Sequence, residues 1–309
     1  MAYRGLCLLS IALFLSGILV PSQSHAAIRV LHAFPGNGAT YDGSSPRTAL
    51  LLNESTFYGA TNVGGADNRG TLYKINADGG EYALLHEFAT GGGASPGSTL
   101  TIGSTVLYGA TRQGGQHGQG TLFKIGIDGN GFETLHEFGA GEGALPDSLV
   151  LEGDTLFGAA SRGGPKHGGT LFKINVDGSD FQLLHEFETD PESPDDLPNS
   201  LILSDSFLYG TTVYGGAAGG GTVFRLRTDG TGFEVLHDFA GGQDGGIPLT
   251  ALTLHGSTLY GVTIITLSSI NWTPMARTFR SCIDLLAPRV LTVAIQVHRS
   301  LTSVTSYMA

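Results

Sequence analysis

Five histidines recur at nearly even spacing along this chain of 309 residues, and an imidazole can ligate a metal or act as a general base. Each lies in a Leu-His-x-Phe segment, and successive histidines are separated by 54, 50, 49 and 52 residues. Because alternate side chains of an extended segment share a face, His86 lies on the same face as Leu84 and Phe88. The pattern therefore favours half-buried structural histidines, on repeats too far apart to share one metal. The five positions are His32, His86, His136, His185 and His237.

One acidic stretch, residues 188–196 (ETDPESPDD), carries five carboxylates among nine residues. Clustered carboxylates can bind calcium or a basic partner, and a carboxylate pair can catalyse glycoside hydrolysis. A solvated acidic loop is the simpler interpretation, so these residues are only weak metal candidates. The candidates are Glu188, Asp190, Glu192, Asp195 and Asp196.

The rest of the sequence indicates no catalytic residue and no cofactor. Gly-rich loops such as residues 114–120 precede strands, whereas a phosphate cradle requires a helix N-terminus after its loop. The zinc-protease motif His-Glu-x-x-His does not occur. We therefore predict no catalytic, cofactor-binding or strong metal-binding position.

Two further motifs accompany Leu-His-x-Phe in a fixed order, so the chain consists of tandem repeats of about 50 residues. One is aromatic-Gly-small-small, as at residues 108–111 (YGAT), and the other is Gly-Thr-(Leu/Val)-aromatic, as at residues 120–123 (GTLF). An Asp-Gly pair follows, and we expect it at the centre of a type I′ hairpin turn, which needs positive φ at both central residues. The aspartates are Asp78, Asp128, Asp177 and Asp229.

The motifs predict four short antiparallel strands per repeat and an all-β fold. We predict a β-propeller of about five four-stranded blades, the last one incomplete; a β-solenoid is the alternative, although its coils are usually much shorter. The isolated N-terminal strand Ile28–Phe34 is a candidate to close the ring by pairing with the last blade. The inner strands offer mostly aliphatic residues and threonine, so we expect no polar cluster at the axis. They are residues 49–52, 100–102, 149–151, 201–203 and 252–254.

The order of the motifs resembles kelch repeats and, more specifically, the GloVer repeat of choice-of-anchor tandem-repeat proteins. The residues that carry the second resemblance are 208–216 (LYGTTVYGG), 221–224 (GTVF) and 229–239 (DGTGFEVLHDF), and it covers residues 30–263. The resemblance implies an exported bacterial protein with a propeller fold, in some members followed by a C-terminal sorting anchor. It implies no activity and no catalytic residue.

Three segments are predicted along the chain. Residues 1–26 are typical of a signal peptide, with Arg4 before an uncharged run of 16 residues and a small-x-small cleavage site ending at Ala26. Residues 27–263 form the repeat propeller. Residues 264–309 contain none of the 48 glycines and carry a net positive charge. We interpret them as the product of a shifted reading frame, or as a divergent segment in which residues 289–297 form a closing strand.

Composition and repetition together favour binding over catalysis. The net charge is −11, with 16 Lys and Arg against 27 Asp and Glu, which argues against a nucleic-acid partner. The repeats are nearly identical, and no set of unlike polar groups converges among them. This pattern favours a binding or structural scaffold that recognises a polysaccharide or a surface protein through propeller loops. A carbohydrate-active hydrolase or lyase is the alternative. We expect a secreted protein, extracellular or periplasmic, without a membrane span in the mature chain.

Overall fold

The repeats form strands and turns throughout the part of the chain that the structure describes. The chain divides into two compact units, Met1–Val30 and Leu31–Ala309, and the described strands all lie in the second. Within the described ranges there is no helix, and hence none that is long and apolar enough to cross a membrane. This computed structural model describes residues 29–34, 42–188, 198–240, 245–256, 258–264 and 292–298.

The strands form five antiparallel sheets in chain order. The first sheet contains β1 (Leu51–Asn53), β2 (Thr56–Thr61), β3 (Thr71–Asn76) and β4 (Ala83–Glu87). The second contains β5 (Ala94–Pro96), β6 (Thr101–Gly103), β7 (Val106–Gln113), β8 (Thr121–Gly126) and β9 (Glu133–Glu137). The third contains β10 (Ala144–Glu152), β11 (Thr155–Arg162), β12 (His167–Asn175) and β13 (Gln182–Glu188). The fourth contains β14 (Pro198–Ser204), β15 (Phe207–Thr212), β16 (Thr222–Arg227) and β17 (Glu234–Asp238). The fifth contains β18 (Thr253–His255), β19 (Thr258–Ile264) and β20 (Thr292–His298).

Two of the sequence motifs recur together because they face each other across neighbouring strands. In the second sheet Gly109 on β7 pairs with Phe123 on β8, and Phe123 is fully buried. A Cβ at position 109 would overlap the Phe123 ring and lie 2.8 Å from Leu100 Cδ2. Glycine is needed here because the aromatic ring fills the space of a side chain. Equivalent pairs are Gly59 with Tyr73, Gly158 with Phe172 and Gly210 with Phe224.

The Asp-Gly pairs lie in type I turns followed by a glycine bulge, so the prediction of type I′ turns is wrong. In the first sheet the N–H of Gly79 donates to the carbonyl of Asn76 (2.8 Å), and the N–H of Asn76 donates to the carbonyl of Gly80 (3.0 Å). Gly79 has φ of +80°, and Asp78 is not among the residues with positive φ. Instead, the Asp78 carboxylate accepts the N–H of Gly80 (2.8 Å), as in an Asx turn. The same arrangement recurs at Asp128, Asp177 and Asp229.

Consecutive sheets pack face to face through one apolar cluster per interface. Leu100 of the second sheet, for example, packs with Tyr58, Ala60 and Phe88 of the first. The equivalent leucines in the later interfaces are Leu149, Leu201 and Leu252. Four-stranded antiparallel sheets repeated in this way are the β-propeller architecture, so the predicted all-β fold of about five repeated sheets is confirmed.

The N-terminal segment makes the side-chain contacts of a fourth strand without pairing as one. The predicted strand Ile28–Phe34 is not formed, since residues 29–34 have no strand pairing and Ile28 lies outside the described residues. His32 nevertheless stacks on Tyr82 with ring centroids 3.7 Å apart, and the Phe34 ring lies 5.0 Å from that of Tyr73. Residues 29–34 therefore make the aromatic contacts that a fourth strand makes elsewhere, but they do not form the backbone hydrogen bonds of a strand. That the segment closes a ring stays a prediction.

The fifth sheet takes its third strand from the non-repetitive C-terminal region. Strand β20 pairs with β19 in an unbroken antiparallel register from Thr258 with His298 to Ile264 with Thr292. In the other sheets this third position is held by the Gly-Thr-(Leu/Val)-aromatic motif. Whether residues 264–309 come from a shifted reading frame stays a prediction, as do the boundaries of the three predicted segments.

Candidate functional site

Four of the five predicted histidines belong to the contacts between consecutive repeats. His86 stacks on Phe132 of the next repeat, with ring centroids 3.6 Å apart and planes 7° from parallel, and it meets Phe88 edge-on at 5.0 Å. His237 contacts Phe239 edge-on at 4.6 Å. Each inter-repeat stack places a flat ring over the aromatic residue that follows the Asp-Gly turn. The other stacks join His32 with Tyr82, His136 with Phe181, and His185 with Phe233.

Burial keeps two of these histidines uncharged near neutral pH. Burial lowers the pKa of His86, and burial together with the nearby Lys166 ammonium lowers the pKa of His185 to about 4. His136 instead bonds to a carboxylate, with its Nε2 3.0 Å from Glu142 Oε2. The histidines of consecutive repeats thus share an aromatic partner but differ in the charged groups beside them. The structure brings no two of the five together at one site.

In three of the repeats, the acidic residue that follows the histidine holds the Gly-rich loop of its own sheet. Glu87 accepts the backbone N–H of Ala66 through Oε2 at 2.7 Å. Because the loop N–H would otherwise be without a protein partner, the carboxylate fixes the loop against the fourth strand. The same bond joins Glu137 with Gln116 and Asp238 with Ala217.

The acidic stretch is described at one residue only. Glu188 ends β13 and pairs with Lys166, whose ammonium lowers the pKa of the Glu188 carboxyl through a hydrogen bond and through its charge. In the part of the chain that the structure describes, no group of three or more His, Cys, Asp or Glu side chains could hold a metal. The other four weak metal candidates, Asp190, Glu192, Asp195 and Asp196, lie outside the described residues.

A cavity of about 500 Å³ lies where the first segments of all five sheets meet. The five segments share a Pro-x-(Ser/Thr) frame, which begins at Pro46, Pro96, Pro146, Pro198 and Pro248. The central residue x of every frame lines the cavity. These five residues, here named the axial residues, are Arg47, Gly97, Asp147, Asn199 and Leu249.

The other two positions of the frame are fixed by contacts within the scaffold. The ring of Pro146 lies so close to Gly120 of the preceding sheet that a Cβ on Gly120 would stand 2.8 Å from Pro146 Cδ. The hydroxyl of Ser98 accepts the N–H of Ala110 on β7 at 2.7 Å. Proline and the hydroxyl residue therefore hold the frame, while the axial residue between them is left to vary.

An ion pair at the axial residue Asp147 joins the second and third sheets. Arg112 at the end of β7 forms a fork on Asp147, with Nε 2.9 Å from Oδ1 and Nη2 3.3 Å from Oδ2. Gly97 leaves room for this side chain, since a Cβ there would lie 2.6 Å from Arg112 Cγ. Burial raises the pKa of Asp147, while the Arg112 guanidinium and the Ser161 hydroxyl oppose the rise. The Asp147 side chain is 15% exposed and that of Arg112 is 41% exposed, so the arginine still faces the cavity.

The remaining polar lining is available to a ligand. Arg47 is exposed and has no ion pair or hydrogen bond to another described residue. Asn199 lines the cavity and donates its side-chain amide to the carbonyl of Pro248 (3.3 Å), and its side-chain carbonyl oxygen can act as an acceptor. Leu249 adds an exposed apolar side chain. Charged, amide and aliphatic groups thus line one recess.

The expectation of no polar cluster at the axis is wrong, because it placed the lining on the aliphatic strand residues. The lining begins earlier, at the frame that precedes those residues in each repeat. A signal was present in the sequence: proline and the hydroxyl residue repeat five times, whereas the residue between them differs in charge and size in every copy.

The family model that describes the Gloeobacter/Verrucomicrobia repeat matches residues 17–198, more than half of the chain. The chain belongs to this family. The predicted resemblance to the GloVer repeat is thereby confirmed, and the Pro-x-(Ser/Thr) frames and the histidine stacks described above are features of a Gloeobacter/Verrucomicrobia repeat protein. No curated protein matches the sequence.

Solved structures resemble this Gloeobacter/Verrucomicrobia repeat protein only distantly. One from a nidogen/laminin complex has 15% identity and a TM-score of 0.48 over 69% of this chain and 69% of that chain. A putative TolB from Agrobacterium tumefaciens has 16% identity and a TM-score of 0.41 over 64% and 65%. A GH74 enzyme from Niastella koreensis has 19% identity and a TM-score of 0.48 over 72% of this chain and 34% of that one. Similarities at this level say nothing about what this chain binds.

Proposed function

We propose that this protein is an exported binding module that holds part of a polysaccharide in the cavity lined by the axial residues. The observation that carries the proposal is the contrast between a frame that repeats five times and an axial residue that differs each time. Repetition of the frame builds the scaffold, and variation at one position per sheet gives unlike groups around one recess.

The dimensions of the cavity favour a saccharide over a protein partner. A recess of about 500 Å³ holds a ligand of one or two sugar rings, whereas a stable protein interface buries a surface of about 800 Å² per partner. Sugar hydroxyls match the amide and guanidinium groups, and the apolar face of a sugar ring matches Leu249 and Ala49.

Export is part of the same proposal. The N-terminal 26 residues are typical of a signal peptide, and a polysaccharide ligand is met outside the cytoplasm. Secretion would be checked by fractionating cells that express the full chain and by sequencing the N-terminus of the exported form, which we expect to begin at residue 27.

The chemistry of the cavity favours binding over hydrolysis. Glycosidases of the usual kind need two carboxyl groups on either side of the scissile bond. Among the described residues that line the cavity, Asp147 is the one carboxylate, and Arg112 occupies it with a two-point contact. A hydrolase would therefore lack its second carboxyl group in this lining.

A glycan array followed by calorimetry on the purified chain tests the proposal. We expect saturable binding of a polysaccharide fragment without release of a cleaved product. Leu249→Trp should fill part of the cavity and weaken binding at least tenfold, while Val235→Trp, at an exposed position on β17 outside the cavity lining, should leave it unchanged. Product release would support the hydrolase or lyase, and binding unaffected by Leu249→Trp would show that the ligand lies elsewhere.

A further inference from the structure

We infer that the ligand of the axial cavity is an anionic saccharide whose carboxylate is bound by Arg47. The inference rests on the proposed function and adds the chemical class of the ligand. It depends on which charges in the lining are already paired and which are not.

The cavity carries an excess of positive charge in a protein that is acidic overall. The lining contains Arg47, Arg112 and one carboxylate, Asp147, while the whole chain has a net charge of −11. Arg112 and Asp147 offset each other because they form a fork at 2.9 and 3.3 Å. The guanidinium of Arg47 is left as the unbalanced charge among the described lining residues.

The surroundings of Arg47 fit a carboxylate on a small ring. Arginine presents a planar fork of donors that matches a carboxylate in a two-point contact. Arg112 is partly exposed and keeps donors free beyond the two that Asp147 accepts, so it can bind a hydroxyl of the same sugar. Asn199 supplies an acceptor for a second hydroxyl, and Leu249 supplies the apolar contact.

Partial loss of water on entering the recess adds to this selection. A carboxylate that enters the cavity loses part of its water, and the Arg47 guanidinium replaces the lost hydration with charge-assisted hydrogen bonds. A neutral sugar meets no such gain at Arg47. The lining therefore favours a uronic acid over its neutral counterpart.

Calorimetry with three probes tests the inference: trigalacturonate, the neutral galactose trisaccharide and a sulfated disaccharide. We expect trigalacturonate to bind at least tenfold more tightly than the neutral trisaccharide at low salt, and to lose most of this advantage in 0.5 M NaCl. Arg47→Gln should remove at least fivefold of the affinity for trigalacturonate and little of that for the neutral sugar. Arg162→Gln, at an exposed arginine outside the cavity lining, is the matched control and should change neither.

The outcomes separate the inference from the proposed function. Equal affinity for the acidic and neutral trisaccharides, or an Arg47→Gln variant that keeps the preference, would overturn the anionic ligand and leave the binding module intact. Preference for the sulfated probe over trigalacturonate would overturn the carboxylate as the recognised group. Absence of binding by every saccharide on the array would contradict the proposed function itself.

Discussion

At the scale of single residues, the repeated positions are explained by contacts that each copy makes with its neighbour. His86 is flat against Phe132 of the next repeat, and Glu87 beside it accepts a loop N–H within its own sheet. The first copy has Ala33 in place of the acid, and it has no Gly-rich loop of its own before it. A histidine pattern that in the sequence suggests metal ligands or general bases is thus accounted for by the packing of one repeat on the next.

The neutral state of His185 gives a testable dependence on pH. Its pKa in the folded protein is about 4, below the ordinary 6.5, so the folded state binds fewer protons between these values. Stability is therefore fully present above pH 6.5 and is lost as the pH falls toward 4. Because the ring is partly solvated, we expect His185 to account for a loss of about 1–2 kcal/mol.

Urea denaturation of two variants at pH 7 and pH 4.5 measures this loss. His185→Phe keeps the stack on Phe233 and should show a smaller difference between the two pH values than the parent chain. His117→Gln, at an exposed histidine, is the control and should leave the difference unchanged. An identical pH dependence in all three proteins would show that His185 titrates normally.

At the scale of strands and turns, the Asp-Gly turns of the second, third and fourth sheets each pack on the sheet that precedes them. The glycine of the turn reaches the bulged fourth strand of the preceding sheet, so that a Cβ at Gly178 would lie 2.9 Å from the carbonyl oxygen of Leu135. Gly178 also has φ of +89°. Two requirements, positive φ and close approach, therefore fall on the same residue.

A pair of glycine variants separates the two requirements. Gly131 has φ of +69°, and a Cβ at this position would have no neighbour within 4 Å, so Gly131→Ala should cost only the conformational penalty of about 1 kcal/mol. Gly178→Ala carries the same penalty and also displaces Leu135, and we expect about 2–3 kcal/mol. Chemical denaturation measures both, and equal losses would mean that the contact with Leu135 yields freely.

The strands and their pairing could be predicted from the sequence, because they depend on alternation and on motifs that recur in order. The turn type could not, since Asp-Gly fits both a type I′ turn and a type I turn with a glycine bulge, and only the φ of Asp78 distinguishes them. The axial residues escaped prediction for another reason. Which residues line the cavity depends on where the first segment of each sheet starts. The Arg112 side chain, moreover, reaches the cavity from the end of β7, over the space that Gly97 leaves open.

At the scale of the whole repeat array, the outward faces of the first and fifth sheets remain uncovered. Leu50 is 48% exposed, whereas its equivalent Leu100 in the second sheet is 3% exposed. On the fifth sheet Tyr260 is 38% exposed, whereas Tyr209 in the fourth is 1% exposed. In three of the four internal interfaces, the equivalent leucine and tyrosine are buried in one apolar cluster.

Alanine substitutions at the two leucines test this difference. Leu100→Ala should destabilise the protein by about 2–4 kcal/mol because it opens a cavity between the first and second sheets. Leu50→Ala should cost less than about 0.5 kcal/mol because much of its side chain is already in water. A loss at Leu50 as large as that at Leu100, measured by thermal denaturation, would mean that the fifth sheet covers Leu50 in solution and that the ring closes.

The five Pro-x-(Ser/Thr) frames have a consequence for how such a protein changes over time. Each frame is held by its proline, its hydroxyl residue or both, so a repeat can be duplicated or exchanged as a unit while the residue between them arrives as part of the exchange. Recombination among repeats then rewrites the lining of the cavity one sector at a time. Under the proposed function, a gene of this kind acquires a new specificity by reshuffling its own segments, with no new fold and no new loop.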